Sequence, residues 1–120
     1  SYPGKIPNNQ ICDKPVSLID IFPTLIDLTG IPKIEGLDGQ SLMPLLKNPK
    51  IDWNRPVLST YGKGNHAVRS GKWRYIQYRD GTSELYDHQK DPHEWYNLSD
   101  KEDFQEVVRR LKKVIPVKEK

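Results

Sequence analysis

The chain has 120 residues, 35% of them hydrophobic and 29% charged, with a formal net charge of +3. That length holds one small domain rather than two, with a thin core. The mixed, weakly basic charge gives no footprint of a nucleic-acid partner, the single cysteine, Cys12, allows no internal disulfide, and no run approaches the roughly 18 apolar residues of a membrane span.

Ten prolines, about twice average usage, predict many short elements joined by turns. Residues 1–15 read as an extended polar lead-in carrying Pro3, Gly4, Pro7 and Pro15. The segment has no apolar stretch of a secretory leader. Because the chain opens on Ser rather than Met, a processed product or a piece of a longer protein is expected.

In VSLIDIFPTLIDLTG, Leu18, Ile21, Phe22, Leu25, Ile26 and Leu28 recur at helical spacing. A cap at Ser17 would put Pro23 inside the helix, where it removes a backbone bond. A cap at Asp20 puts Pro23 in the first turn, where its missing N–H is not needed. The spacing therefore predicts a helix over 21–29, preceded by an irregular turn and closed by Gly30. QSLMPLLKN predicts a second short helix with Pro44 near its start, set between the turn-rich stretches IPKIEGLDG and NPKIDWNRP.

After Pro56 the period changes to two. VLSTYG (57–62), HAVRS (66–70), KWRYIQY (72–78) and SELYD (83–87) read as strands, and Asp80-Gly81 is a strong hairpin signal. Trp73, Tyr75 and Gln77 share one strand face and Arg74, Ile76 and Tyr78 the other; aromatics so evenly divided leave the inner face open. HQKDPHEWYNL is a structured loop with Asp91-Pro92 opening a turn. SDKE reads as a capping box, Ser99 at the N-cap and Glu102 at N3. It introduces an amphipathic helix whose apolar members are Phe104, Val107, Val108, Leu111 and Ile115, with Arg109, Arg110, Lys112 and Lys113 suited to the dipole and Pro116 as the stop. The fold class is α+β: short helices, a three- to four-stranded antiparallel sheet and a closing helix. Residues 1–55 form the lead-in and helical segment, and 56–120 the sheet with its helix.

The search for chemistry finds no complete catalytic set. Cys12 has only Lys14 nearby to lower its pKa and reads as a packed side chain. His88 and His93 lie five apart among Asp87, Asp91 and Glu94, matching no standard zinc spacing, and read as solvated loop side chains. GKGN at 62–65 is not followed by a helix and fails as a phosphate loop, yet it delivers Asn65 and His66 to the mouth of the sheet, where loops carry function. Lys72 and Arg79 read as edge charges that discourage aggregation, while Arg69 and Arg74 stay open as anion ligands.

In order, CDKPVSLIDIFPTLIDLTGIP, LDGQSLMPLL, RPVLSTYGKGNHAVRSGKWRYI and ELYDHQKDPHEWYNL resemble the C-terminal part of a sulfatase. The nearest branch is the iduronate-2-sulfatase-like enzymes, which include bacterial relatives that attack sulfated sugars, and the resemblance runs from about Pro3 to the final helix. It implies the small subdomain of a larger α/β enzyme in the alkaline-phosphatase-like superfamily. That enzyme hydrolyses sulfate esters of sulfated sugars or glycosaminoglycans with a formylglycine hydrate and calcium. Those groups belong to an N-terminal domain of the same parent. The family's Cys/Ser-x-Pro-x-Arg nucleophile motif is absent here, since Cys12 is followed by DKPV. No catalytic residue, metal ligand or cofactor is therefore assigned to this chain, which by itself should be inactive.

The resemblance also implies that the small subdomain abuts the substrate cleft. Asn65 and His66 are then placed to hydrogen-bond a sugar hydroxyl, and Arg69 to pair with a carboxylate or second sulfate. The expected partners are the parent's N-terminal domain and a sulfated sugar, with no nucleic acid and no membrane. The helix around Phe22–Leu28 would be left apolar and exposed in isolation and able to dimerise. The residues do not set a compartment; the resemblance implies a periplasmic, secreted or lysosomal parent. The alternative is an independent binding module for anionic polysaccharide or nucleic acid on the same basic, aromatic hairpin.

Overall fold

The computed structural model describes residues 4–117. Its contacts divide the chain into two compact units, Ser1–Trp53 and Asn54–Lys120.

In the first unit a single 3₁₀ turn, Leu18–Asp20, runs directly into helix α1, Ile21–Thr29. Gly30 closes α1 in the left-handed conformation at φ 74°, where a side chain would be strained. Helix α2, Met43–Lys47, has its proline at the start as expected. Asp20 stands at the α1 N-cap, but its carboxylate serves elsewhere. The fully buried side chain accepts from the backbone N–H of Ser17 and of Gln40, both at 2.9 Å. Thr24 repeats the pattern: its hydroxyl donates to the Asp20 carbonyl at 2.6 Å and accepts from Leu42 N–H at 2.8 Å. Gly39 permits this fold-back, since a Cβ there would lie 2.1 Å from the Ile19 carbonyl oxygen. The helices are thus joined by buried polar staples rather than by an extensive apolar core.

The second unit is a four-stranded antiparallel meander in the order β1-β2-β3-β4: Val57–Thr60, His66–Ser70, Trp73–Gln77 and Ser83–Asp87. β2 and β4 have the expected bounds; β1 and β3 are shorter than predicted. Asp80 holds the β3–β4 turn by accepting from Thr82 N–H at 2.9 Å and Thr82 Oγ1 at 2.7 Å. The register sets Val68 opposite Tyr75 and Tyr75 opposite Leu85. Those three form the buried core with Leu111 and Ile115, and Trp73 packs at its edge against Phe104, ring centroids 5.8 Å apart. The Trp73–Tyr75–Gln77 face is therefore the inner one, covered by helix α3, Gln105–Lys112.

The predicted capping box does not form. α3 begins at Gln105 after a 3₁₀ turn, Glu102–Phe104, with Lys101 at the cap of that turn. Ser99 is buried and its hydroxyl donates to the Ser83 carbonyl at 2.8 Å, while Asn97 Oδ1 takes the N–H of Ser99 at 2.9 Å and of Leu85 at 3.0 Å. The edge strand β4 has unpaired backbone groups on its outer side, and Asn97 and Ser99 satisfy them. The hydroxyl is thereby committed to β4. The helix also stops at Lys112 rather than at Pro116, although Ile115 still reaches the core.

Candidate functional site

The open face of the sheet, away from α3, carries Ala67 and Arg69 from β2 and Arg74 and Ile76 from β3, with Tyr78 just beyond. At the β1–β2 end this face sinks into a hollow of about 460 Å³ lined by Tyr61, Asn65, His66, Arg74, Ile76 and Tyr78. The hairpin that forms its rim is closed by Tyr61 N–H donating to the Asn65 carbonyl at 3.0 Å. Gly64 lies against Arg79, and a Cβ there would be 3.0 Å from the Arg79 Cβ. The side chain of Asn65 bridges the same gap, its Oδ1 accepting from Arg79 N–H at 3.2 Å. Two hairpin turns are thus held side by side, and Tyr61, 88% exposed, projects from the rim. An exposed phenol ring beside amide and guanidinium groups offers a stacking face with directional hydrogen bonding.

The three residues singled out from the sequence are only partly brought together. Asn65 and His66 both line the hollow. His66 is buried at 5% exposure, with Nδ1 3.0 Å from Thr60 Oγ1, and the register sets it opposite Gln77 on the α3-facing side of the strand, so it borders the hollow from within the sheet. Arg69 is absent from the lining and lies further along the open face, where Arg74 takes the position nearest the hollow.

Arg69 belongs to a chain of charged groups. Its Nη1 contacts His88 Nδ1, His88 Nε2 lies 2.5 Å from Glu94 Oε1, and Arg74 Nη1 reaches Glu94 Oε1 and Oε2 at 2.8 and 3.0 Å. A guanidinium only donates, so His88 Nδ1 must accept. The proton of the neutral ring then sits on Nε2 and is donated to Glu94. Burial, and then the charge of Arg74, lower the Arg69 pKa, with Glu94 opposing them. For Glu94, burial works against the charged form. The hydrogen bonds from His88 and Arg74 outweigh it and hold the pKa below the usual carboxylate range.

Reading His88 as a solvated loop side chain is corrected by this network: His88 and Glu94 fasten the loop after β4 onto the sheet. His93 stacks on Trp95 instead, centroids 5.0 Å apart. Glu94 itself sits at φ 59°, an uncommon conformation for a non-glycine residue that the ion pairs and the Asp91 turn hold in place. Asp91 accepts from Tyr96 N–H at 2.9 Å.

Sequence reasoning missed Glu94, Tyr61 and Tyr78. The Asp-Pro turn signalled a loop, but not its return to β3. Lys72 is more than an edge charge: its Nζ lies 2.6 Å from Asp87 Oδ2 and 4.5 Å from the Trp73 ring centre. Burial opposes the charge on Asp87, and bonds from Lys72 and Gln89 N–H overcome it, lowering its pKa. Among the described residues no group of three His, Cys, Asp or Glu side chains converges to hold a metal ion. Cys12 is exposed. No helix among them is long and apolar enough to cross a membrane.

Comparison with known proteins gives this arrangement a family. The whole chain, residues 1–120, matches the family described as N-sulphoglucosamine sulphohydrolase, C-terminal. A sulfatase of Formosa agariphila is 36% identical over 111 residues, covering 92% of this chain and 22% of its own length. Arylsulfatase K of Gallus gallus is 37% identical over 118 residues, covering 83% of this chain and 21% of its own. Among solved structures, BT1596, described as a 2-O GAG sulfatase, superposes with a TM-score of 0.64 at 30% identity, covering 79% of this chain and 22% of that one. The chain spans about a fifth of the length of the curated relatives it matches. It belongs to the N-sulphoglucosamine sulphohydrolase C-terminal family and has the α+β fold of the C-terminal subdomain of a sulfatase.

Proposed function

We propose that this chain forms one wall of the substrate pocket in a sulfuric ester hydrolase acting on sulfated sugars or glycosaminoglycans. The observation that carries the reading is the hollow on the open sheet face, where Tyr61, Asn65, His66 and Arg74 meet in a chain matching a sulfatase C-terminal family throughout. The names of the relatives support the substrate class, since one is a sulfatase acting on a 2-O-sulfated glycosaminoglycan.

Sulfate ester hydrolysis needs a nucleophile and strong stabilisation of charge on the sulfate oxygens. A formylglycine hydrate and calcium supply that chemistry in such enzymes. The residues described here do not fit either group: no metal-ligand cluster forms, and Cys12 lacks the nucleophile motif. On this reading both belong to an N-terminal α/β domain, and the exposed apolar side chains Leu18, Phe22 and Leu25 of the first unit suit contact with such a domain.

This chain's own part is recognition. Asn65 and His66 hydrogen-bond sugar hydroxyls, Tyr61 stacks on the ring, and Arg69, beside Arg74 on the open face, supplies positive potential toward a carboxylate or a second sulfate. The test is steady-state kinetics of the full-length protein on a sulfated oligosaccharide. Asn65→Ala and Arg69→Gln raise KM about 5- to 20-fold, the loss of one or two hydrogen bonds or a charge contact, measured on folded protein because Asn65 also bonds Arg79 N–H and Arg69 contacts His88. Unaltered kinetics in both variants overturn the pocket role. A full-length protein that turns over no sulfated substrate would instead favour an independent polysaccharide-binding module.

A further inference from the structure

On the other side of the sheet, a groove of about 960 Å³ runs beside the end of α3. Its lining includes Arg109, Arg110, Lys112 and Lys113, with Glu106 as the one carboxylate and Gln77, Ile115 and Val117 as the floor and rim. All four cations are exposed, and no carboxylate among the described residues lies within ion-pair distance of any of them. Arg109 is oriented by its Nε, which donates to the Gln105 carbonyl at 3.3 Å. Elsewhere in this unit Lys72 is paired with Asp87 and Arg74 with Glu94, and Arg69 contacts His88. The helix dipole favours cations in the last turn, but it does not account for four of them facing one concavity whose lining includes a single carboxylate, Glu106, with which none of them forms an ion pair. Side chains three and four apart on a helix are neighbours, so Arg109, Lys112 and Lys113 form a contiguous stripe with Arg110 beside it. Like charges held this close repel one another, and a concavity lined mainly by one sign of charge focuses their field.

We propose that this groove is a second docking site, for a polyanionic sugar chain rather than for the reacting sulfate. Its occupant is a stretch of sulfated polysaccharide lying outside the pocket, bound through sulfate and carboxylate groups to the α3 stripe. The sheet separates it from the hollow, since Val68, Tyr75 and Leu85 pack under α3 while Ala67 and Ile76 face away. A contact here therefore acts on how long chains are captured and not on how the reacting sugar is held. The choice of a sulfated glycan rests on the sulfatase reading above; the choice of a polyanion rests on the charge of the groove.

The experiment uses the full-length protein and the double charge reversal Arg109→Glu/Lys113→Glu, with Arg109→Gln/Lys113→Gln as a milder companion should the reversal fail to fold. Two readouts are taken. In kinetics, KM for a long sulfated polysaccharide rises about 5- to 10-fold near 50 mM salt and the difference closes near 500 mM, as expected for a screened charge contact. KM for a sulfated disaccharide stays unchanged. In direct binding, heparin loses affinity for the variants by a similar factor. Equal KM changes for long and short substrates, or unchanged heparin binding by a folded variant, overturn the docking site. If the wild-type protein turns over neither substrate, the sulfatase reading fails, and heparin binding alone still decides the groove.

Discussion

The two units of this chain solve the same problem with different means. Asn54–Lys120 has a core of its own, in which Val68, Leu85 and Leu111 are at most 1% exposed and Tyr75 is 2% exposed. Ser1–Trp53 buries Ile26 and Leu45 but leaves Leu18, Ile21, Phe22 and Leu25 half or more exposed. Its order comes from Asp20 and Thr24, which take up the backbone N–H groups of Ser17, Gln40 and Leu42. Nonpolar burial is roughly proportional to area and tolerant of small shifts, whereas buried hydrogen bonds are directional and costly to leave half-made. The sheet unit should therefore fail gradually as side chains shrink, and the helical unit abruptly when one polar group is removed.

The largest expected effect sharpens that contrast from the sheet side. Leu111→Ala opens a cavity between α3 and the strands and should cost about 3–4 kcal/mol, read by chemical denaturation and by loss of amide protection in β2 and β3. Next, Asp20→Ala leaves two backbone donors without their acceptor and should cost about 3 kcal/mol. Hydrogen exchange is expected to rise over 17–42 while the sheet amides keep their protection. Simultaneous loss of protection in both units would break the comparison. Gly39→Ala drives a Cβ into the Ile19 carbonyl and should cost about 2 kcal/mol in the same region, with no change near α3.

Smaller effects concern charge. Glu94 and Asp87 both have pKa values lowered in the folded state. A depressed carboxylate contributes stability that is fully present above its unfolded pKa of about 4 and is lost as pH falls through the folded value. Acid unfolding of the sheet unit should thus steepen below about pH 4, and Glu94→Gln should flatten that slope while lowering stability at neutral pH by about 1 kcal/mol. A pH titration followed by tryptophan fluorescence checks both, because Trp73 and Trp95 lie near these groups. The smallest stability change is expected at Tyr61→Ala, within about 0.5 kcal/mol, since the ring is 88% exposed; any large kinetic effect there belongs to the substrate and not to the fold.

Local chemistry made much of this legible from the sequence alone. Apolar spacing, Pro23 in a first turn and Gly30 at a left-handed cap are enough for α1, and alternation with the Asp80-Gly81 turn is enough for β3 and β4, because each signal acts between residues a few positions apart. Motif order was likewise enough to reach the family. The tertiary structure alone decided which strand face lies inward, since Trp73 and Tyr75 compete with Ile76 and Tyr78 on equal terms until α3 covers one side. It also decided that Ser99 bonds Ser83, 16 residues away, rather than capping a helix, and that Glu94 reaches Arg74 across 20. Those contacts depend on the loop after β4 folding back on the sheet, where unpaired edge groups and two arginines compete for its side chains more strongly than its own backbone does. No local pattern encodes that competition, because its partners meet only once the strands have paired.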